Sequence, residues 1–169
     1  VIDLRDATAY PGFIDAHLHI AGIGSAQRSV DLTGGSSFSE LVDRVAARAS
    51  TLRKGVVLQG RGWHQSKWLN PPPGHVEGFP THHALSEAVP DHPVVLEHAN
   101  GHSILLNQRA MEQLGVDANT IAPEGGVIVM SDGQPTGLLH ETAIDLAAPL
   151  QTYDLQTAEE LVELSLIHI

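Results

Sequence analysis

Eleven histidines stand in a chain of 169 residues that has no cysteine. Imidazole is then the main nitrogen ligand and neutral-pH base, while thiolate ligands, thiol nucleophiles and disulfides are excluded. Two of the histidines are spaced to work together, in the stretch Pro11-Gly-Phe-Ile-Asp-Ala-His-Leu-His19. An extended backbone sends alternate side chains to opposite faces. Asp15, His17 and His19 therefore share a face with Phe13, and Ile14, Ala16, Leu18 and Ile20 form the other, wholly apolar one. Two imidazoles one residue apart on a strand can converge on a single metal ion, a nitrogen of each about 2.0–2.1 Å from it. The alternative is a strand with two half-buried histidines and no metal. The acid and the apolar run beside them weigh against that, because every buried polar group needs a partner. Gly22 and Gly24 follow at the end of the strand where α/β enzymes build their sites.

These residues need elements to hold them. Strands are predicted over residues 1–4 and 13–20, separated by the turn-forming Ala9-Tyr-Pro-Gly12. Ser37-Phe-Ser-Glu40 is a capping box, with Ser37 as N-cap and Glu40 reaching back to it. The helix it opens carries Leu41, Val42, Val45, Ala46, Ala49 and Leu52 on one stripe and ends at Lys54-Gly55. Short buried strands are predicted over 56–59 and 93–97. Asn70-Pro-Pro-Pro-Gly74 makes residues 63–80 a surface or mouth-forming segment. A helix over 107–114 begins at Asn107 and ends at Gly115 in the C′ role. Strands over 126–130 and 136–139 flank Ser131-Asp-Gly133 as a hairpin. Residues 141–148 read as helical, stopping at Pro149, and Thr157-Ala-Glu-Glu160 caps one more helix. Strands alternating with helices and no internal repeat give an α/β class.

Composition narrows the function. With 9 Lys+Arg against 20 Asp+Glu, the formal charge is −11. A nucleic-acid or anionic-membrane binder needs a basic face, so neither partner is expected. Runs such as Pro93-Val-Val-Leu96 are far too short to span a bilayer. No charged-then-apolar signal segment opens the chain, and with no cysteine the expected compartment is the cytoplasm. Neither a Gly-x-Ser-x-Gly elbow nor a P-loop is present, so serine hydrolase and nucleotide-triphosphatase chemistry have no support.

The series Tyr10-Pro-Gly-Phe-Ile-Asp-Ala-His-Leu-His19, Gln59-Gly-Arg-Gly-Trp63, Pro90-Asp-His-Pro-Val94, Gly101-His102 with Asn107, and Gly133-Gln-Pro-Thr-Gly-Leu-Leu139 with Glu141 resembles amidohydrolase family 3. That is the group containing N-substituted formamide deformylase, and the likeness runs from Val1 to about Pro149. It implies a metal-dependent hydrolase of amide or formamide C–N bonds. It also implies a TIM-like (β/α)₈ barrel flanked by a small β-sandwich. On this resemblance His17 and His19 are metal ligands, the metal being one or two divalent ions, most simply zinc. Glu141 is the candidate for a further, bridging ligand, with His140 its competitor. No Lys lies in that stretch to be carboxylated. Metal binding lowers the pKa of water towards about 7, which would supply the nucleophile. A carboxylate base would relay its proton to the leaving amine; that base is expected beyond Ile169, so no residue here is assigned the role.

A full barrel takes about 250 residues, so the chain is expected to be an N-terminal part of one. Residues 1–10 would end the sandwich and 11–163 would begin the barrel, with 164–169 a tail of doubtful origin. Such a piece is expected to be inactive and poorly soluble alone, through unpaired strand edges. Trp63 could wall a substrate pocket or simply pack. His102 could contact substrate, support a ligand or make a structural hydrogen bond. Asn107 is expected to cap its helix, Glu97 and His98 to form a salt-linked pair, and His64, His75, His82, His83 and His92 to lie at the surface. Adjacent in an extended chain, His82 and His83 would point apart. The rival readings are a cupin-like His-x-His oxygenase, which would be nearly all β, and a truncated, non-catalytic product. Oligomeric state is left open.

Overall fold

The computed structural model describes residues 5–8, 26, 28–151 and 163. The expected strands over 1–4 and 13–20, with His17, His19, Gly22 and Gly24, lie outside these residues, as do the helix at Thr157 and the tail over 164–169. In chain order the elements are β1 (Val30–Asp31), α1 (Phe38–Ala49), β2 (Leu58–Trp63), a 3₁₀ turn (Gln65–Lys67), α2 (His83–Ala88), β3 (Val94–His98), β4 (Ser103–Leu106), α3 (Gln108–Leu114), β5 (Gly126–Ser131), β6 (Gln134–Glu141) and a 3₁₀ run (Thr142–Leu150).

One six-stranded sheet has the order β1-β2-β3-β4-β6-β5. β1, β2 and β3 are parallel, and α1 and α2 lie in the connections between them. β4 turns back against β3, β6 pairs antiparallel with β4, and β5 with β6. The class is α/β, as expected, and the helices exclude the nearly all-β alternative. An all-parallel barrel wall is not what the described residues form. After His98 the chain reverses within Ala99-Asn-Gly-His102, too short a link for the helical crossover that a parallel neighbour requires.

Local chemistry accounts for most boundaries. Ser37 Oγ accepts from the Glu40 amide at 3.1 Å, whereas the Glu40 carboxylate accepts from Ser36 N and Ser36 Oγ, both at 2.9 Å. The box therefore closes one residue earlier than the expected reach to Ser37. β2 starts at Leu58 and runs on through two glycines instead of covering 56–59. At Gly60 a Cβ would lie 3.0 Å from both the Leu32 and Leu96 side chains, so only glycine lets these leucines meet across the strand. Gly62, at φ +96°, takes up the register shift between Arg61 and Trp63. The shift brings Trp63 onto the Leu58 and Gly60 side, where it is buried.

Asn107 caps α3 by accepting from Ala110 N at 2.9 Å, and the same Oδ1 accepts from Val94 N at 2.9 Å. Its Nδ2 donates to Val89 O and His92 O, at 2.9 and 2.8 Å. Gly115 closes α3 in the left-handed region. Asp132 and Gly133 both have positive φ, the signature of the type I′ turn that joins two twisted strands. β4 and α2 had no counterpart in the sequence pattern. All four residues of β4 are buried, so no alternation marks it; α2 has six residues and no side-chain cap. Residues 142–150 form a 3₁₀ run with Pro149 inside it, not the α-helix expected over 141–148.

Two apolar layers cover the sheet. One packs Phe38, Leu41, Val45, Trp63, Trp68 and Leu85 with Leu96, Leu105 and Leu138. The other sets Ala110, Met111, Ala143, Ala147 and Leu150 against Val95, Ile104, Leu106 and Leu139. Among the described residues, no helix is long and apolar enough to cross a membrane.

Candidate functional site

Pairing direction gathers the polar residues at one edge of the sheet. The C-terminal ends of the parallel strands bring Asp31, Trp63 and His98 there. β4 begins at that edge and β6 ends at it, since Ser103 stands opposite His140. His102, Ser103, His140 and Glu141 therefore share the edge with His98. It is also the edge at which open α/β sheets hold their ligands.

Trp63, a candidate pocket wall, is 1% exposed. Its Nε1 donates to Leu96 O at 3.1 Å, and its ring stacks on Trp68 with centroids 5.9 Å apart. Its surroundings are those of a packed core residue, so the segment over 63–80 begins inside the protein and not at its surface. His98 lies edge-on to Trp63 with centroids 4.6 Å apart. Asn100 N donates to His98 Nδ1 at 3.1 Å, which leaves the proton on Nε2 to be donated to Gln65 Oε1 at 2.8 Å. Burial, with His64 and His140 nearby, holds this imidazole below the usual histidine range. The expected pair with Glu97 does not form, because consecutive strand residues face opposite sides of the sheet.

His140 rests edge-on against Phe79, centroids 5.2 Å apart, and its Nδ1 shares a 2.7 Å hydrogen bond with Ser103 Oγ. Burial lowers its pKa, against the pull of the Glu141 and Glu77 charges. His102 and Glu141 come together from different strand ends: His102 Nδ1 donates to Glu141 Oε2 at 3.1 Å, and Glu141 N donates to His102 O at 3.0 Å. Both side chains are exposed. Glu141 has φ +52° and ψ −131°, a conformation that glycine alone adopts freely. A carboxylate is thus held at a strained strand end, with its orientation fixed by an imidazole.

Beside this group an open cleft of about 680 Å³ lies across the ends of the parallel strands, lined among others by Asp31, Thr33, Arg61, Lys67 and His98. Asp31 Oδ1 accepts from Thr33 N at 2.9 Å, and that bond first, with help from Arg44, holds the carboxyl below its ordinary pKa. Arg44 also donates to Asp31 O and Thr33 O, bracing that wall.

Among the histidines expected at the surface, the structure buries His92 and half-buries His82 and His64. His92 is buried, with Nδ1 on Val56 O at 2.9 Å. His82 and His83 do not point apart; they lie in and just before a helix, where their rings stack with centroids 4.2 Å apart. Burial, then the neighbouring His83, lowers His82 to about 4. His75 and His83 are exposed and His64 half-buried. Among the described residues no three His, Asp or Glu side chains converge as a metal site. Glu141 and His102 supply two donors, now bonded to each other. His98 and Arg61 are site residues that the sequence reading does not mark, and His140 enters it only as the competitor of Glu141. For His98 and Arg61 the available signal was their place at the ends of apolar or glycine-bearing strand segments.

An α/β sheet with parallel strands ending in histidine, carboxylate and a polar cleft defines the broad class of α/β proteins with a strand-end site. The comparisons make this specific: the amidohydrolase family's sequence signature matches residues 1–166, and the chain belongs to that family. It is 37% identical over 146 residues to the YtcJ protein of Bacillus subtilis (strain 168), assigned by its name to the amidohydrolases, covering 86% of this chain and 26% of that protein. It is 31% identical over 151 residues to N-substituted formamide deformylase of Arthrobacter pascens, covering 86% of this chain and 26% of that enzyme. The fold superposes on the crystal structure of a metal-dependent hydrolase from Pyrococcus horikoshii OT3 with a TM-score of 0.65 and 24% identity, over 94% of this chain and 28% of that one. The chain thus spans about a quarter of the length of these curated relatives.

Proposed function

We propose that this chain supplies the first part of a metal-dependent hydrolase that cleaves the C–N bond of small amides or formamides. Its mixed sheet would form part of a TIM-like barrel, with residues 1–10 belonging to a flanking sandwich, 11–163 to the barrel and 164–169 to a tail. The observation that carries the reading is Glu141, a carboxylate held at a strained strand end by His102, on the edge where the parallel strands end. Family membership and the metal dependence named for the Pyrococcus hydrolase support it.

In this reading His17 and His19 hold a divalent cation, most simply zinc, through neutral imidazole nitrogens, with Glu141 as a further donor. When bound, the cation polarises a carbonyl and lowers the pKa of water to about 7. His102, by donating to Glu141, fixes which carboxylate oxygen faces outward. Trp63 supports the strand end from below, and no residue of this chain is assigned as general base. The chain alone is inactive in this reading, and its compartment is the cytoplasm. The test compares metal content for the protein and for a His17→Ala plus His19→Ala variant, with Glu141→Gln alongside. Loss of bound metal in the double variant is expected. Undiminished metal in both variants overturns the proposal.

A further inference from the structure

The chain carries 9 Lys and Arg against 20 acids, so basic side chains with nothing to bind are conspicuous. Arg44, Lys54 and Arg109 are paired with Glu40, Asp91 and Glu112. The side chains of Arg61 and Lys67 have no hydrogen-bonding or ionic partner among the described residues. Both are exposed and both line the cleft across the ends of the parallel strands.

Arg61 in particular passes over two nearby acids. It stands in register with Asp31 on one side and Glu97 on the other, yet forms an ion pair with neither. The Asp31 carboxylate is turned onto the Thr33 amide, and Glu97 lies outside this cleft's lining. His98, held below its usual range by burial, adds no charge at neutral pH. Among the described residues of the cleft lining the formal charge is therefore two cations less one anion, in a protein whose net charge is −11.

We propose that Arg61 and Lys67 form a carboxylate-binding subsite, so that the preferred substrate is a small amide that also bears a carboxylate. This deepens the hydrolase reading and rests on it for the word substrate, though not for the binding itself. The guanidinium offers a planar fork matched to a carboxylate, and Lys67 adds a point charge from the turn that follows β2. A single net positive charge suits a monoanion; a phosphate dianion would be set against the Asp31 carboxylate. The cleft volume lies within the range that holds small ligands.

The test is calorimetric or NMR titration of the full chain with succinamate, with its neutral counterpart succinamide, and with inorganic phosphate. Succinamate is expected to bind at least tenfold more tightly than either. Arg61→Gln and Lys67→Gln should each weaken succinamate about tenfold and leave succinamide unchanged, while Arg61→Lys should lose less than Arg61→Gln. Arg53→Gln, an exposed cation outside the cleft lining, should change nothing. Unchanged thermal midpoints establish that the variants fold. Equal binding of succinamate and succinamide overturns the proposal, as does parallel loss of both in the variants, or tighter binding of phosphate. Failure of the hydrolase reading would instead show as no metal uptake, with the succinamate preference intact.

Discussion

The parallel and antiparallel halves of the sheet solve the same packing problem with different material. Around β1–β3 the rings gather on one face, with Trp68 touching both Phe38 and Trp63 and Phe79 against Trp63. Around β4–β6 the second layer is aliphatic and small, and Gly126 comes so close to Ala143 N that a side chain there would collide with backbone. Large rings leave gaps at their rims that polar groups can enter, and His98 and His140 stand at those rims. Small residues let backbones close up and leave no such room. The chemistry therefore collects where aromatic packing meets the end of the sheet.

Breaking the aromatic half should cost most. Trp63→Ala removes a buried ring and strands the Leu96 carbonyl, and is expected to lower stability by about 3–5 kcal/mol in urea denaturation. An effect under 1 kcal/mol would show that the rings are not the support described. The seam between the halves comes next. Asn107→Ala removes four buried hydrogen bonds, one of them the helix cap, with an expected loss of about 2–4 kcal/mol in the same assay.

The antiparallel half offers a change of opposite sign. Glu141→Gly releases the backbone strain and forfeits only an exposed hydrogen bond, so stability should rise by about 1 kcal/mol. A fall would place the strain elsewhere. The smallest effect expected is in pH. His82 is lowered to about 4, so between its ordinary 6.5 and 4 the unfolded chain takes up a proton that the folded one refuses. Stability should then fall as pH drops through that window, with His98 and His140 acting in the same direction. His82→Gln should flatten the slope of melting temperature against pH, and an unaltered slope would remove His82 from the account.

How legible a feature was depended on how locally it is determined. The Ser37 and Asn107 caps, Gly115 and the Asp132–Gly133 turn each depend on a few adjacent residues, and the sequence displays them. β2 runs beyond the length its sequence pattern suggests, because Gly60 and Gly62 resemble strand breakers. Their reason for being there, the approach of Leu32 and Leu96 and the re-aiming of Trp63, involves residues far away in the chain. The burial of His92 and the stacking of His82 on His83 depend on which elements meet. The failed Glu97–His98 pair was avoidable, since strand parity alone separates neighbours. The His102–Glu141 contact, 39 residues apart, could not be deduced from spacing, although both residues had been singled out separately.

Asn107 has one more consequence, for the order in which the chain assembles. Its four partners all lie within residues 89–110, so the clasp closes a loop of fewer than twenty residues, at little entropic expense. The segment holding α2's end, β3, β4 and the start of α3 can organise on its own short-range contacts before β1 and β2 find their register. The centre of the sheet would then serve as the template on which the more distant strands are laid.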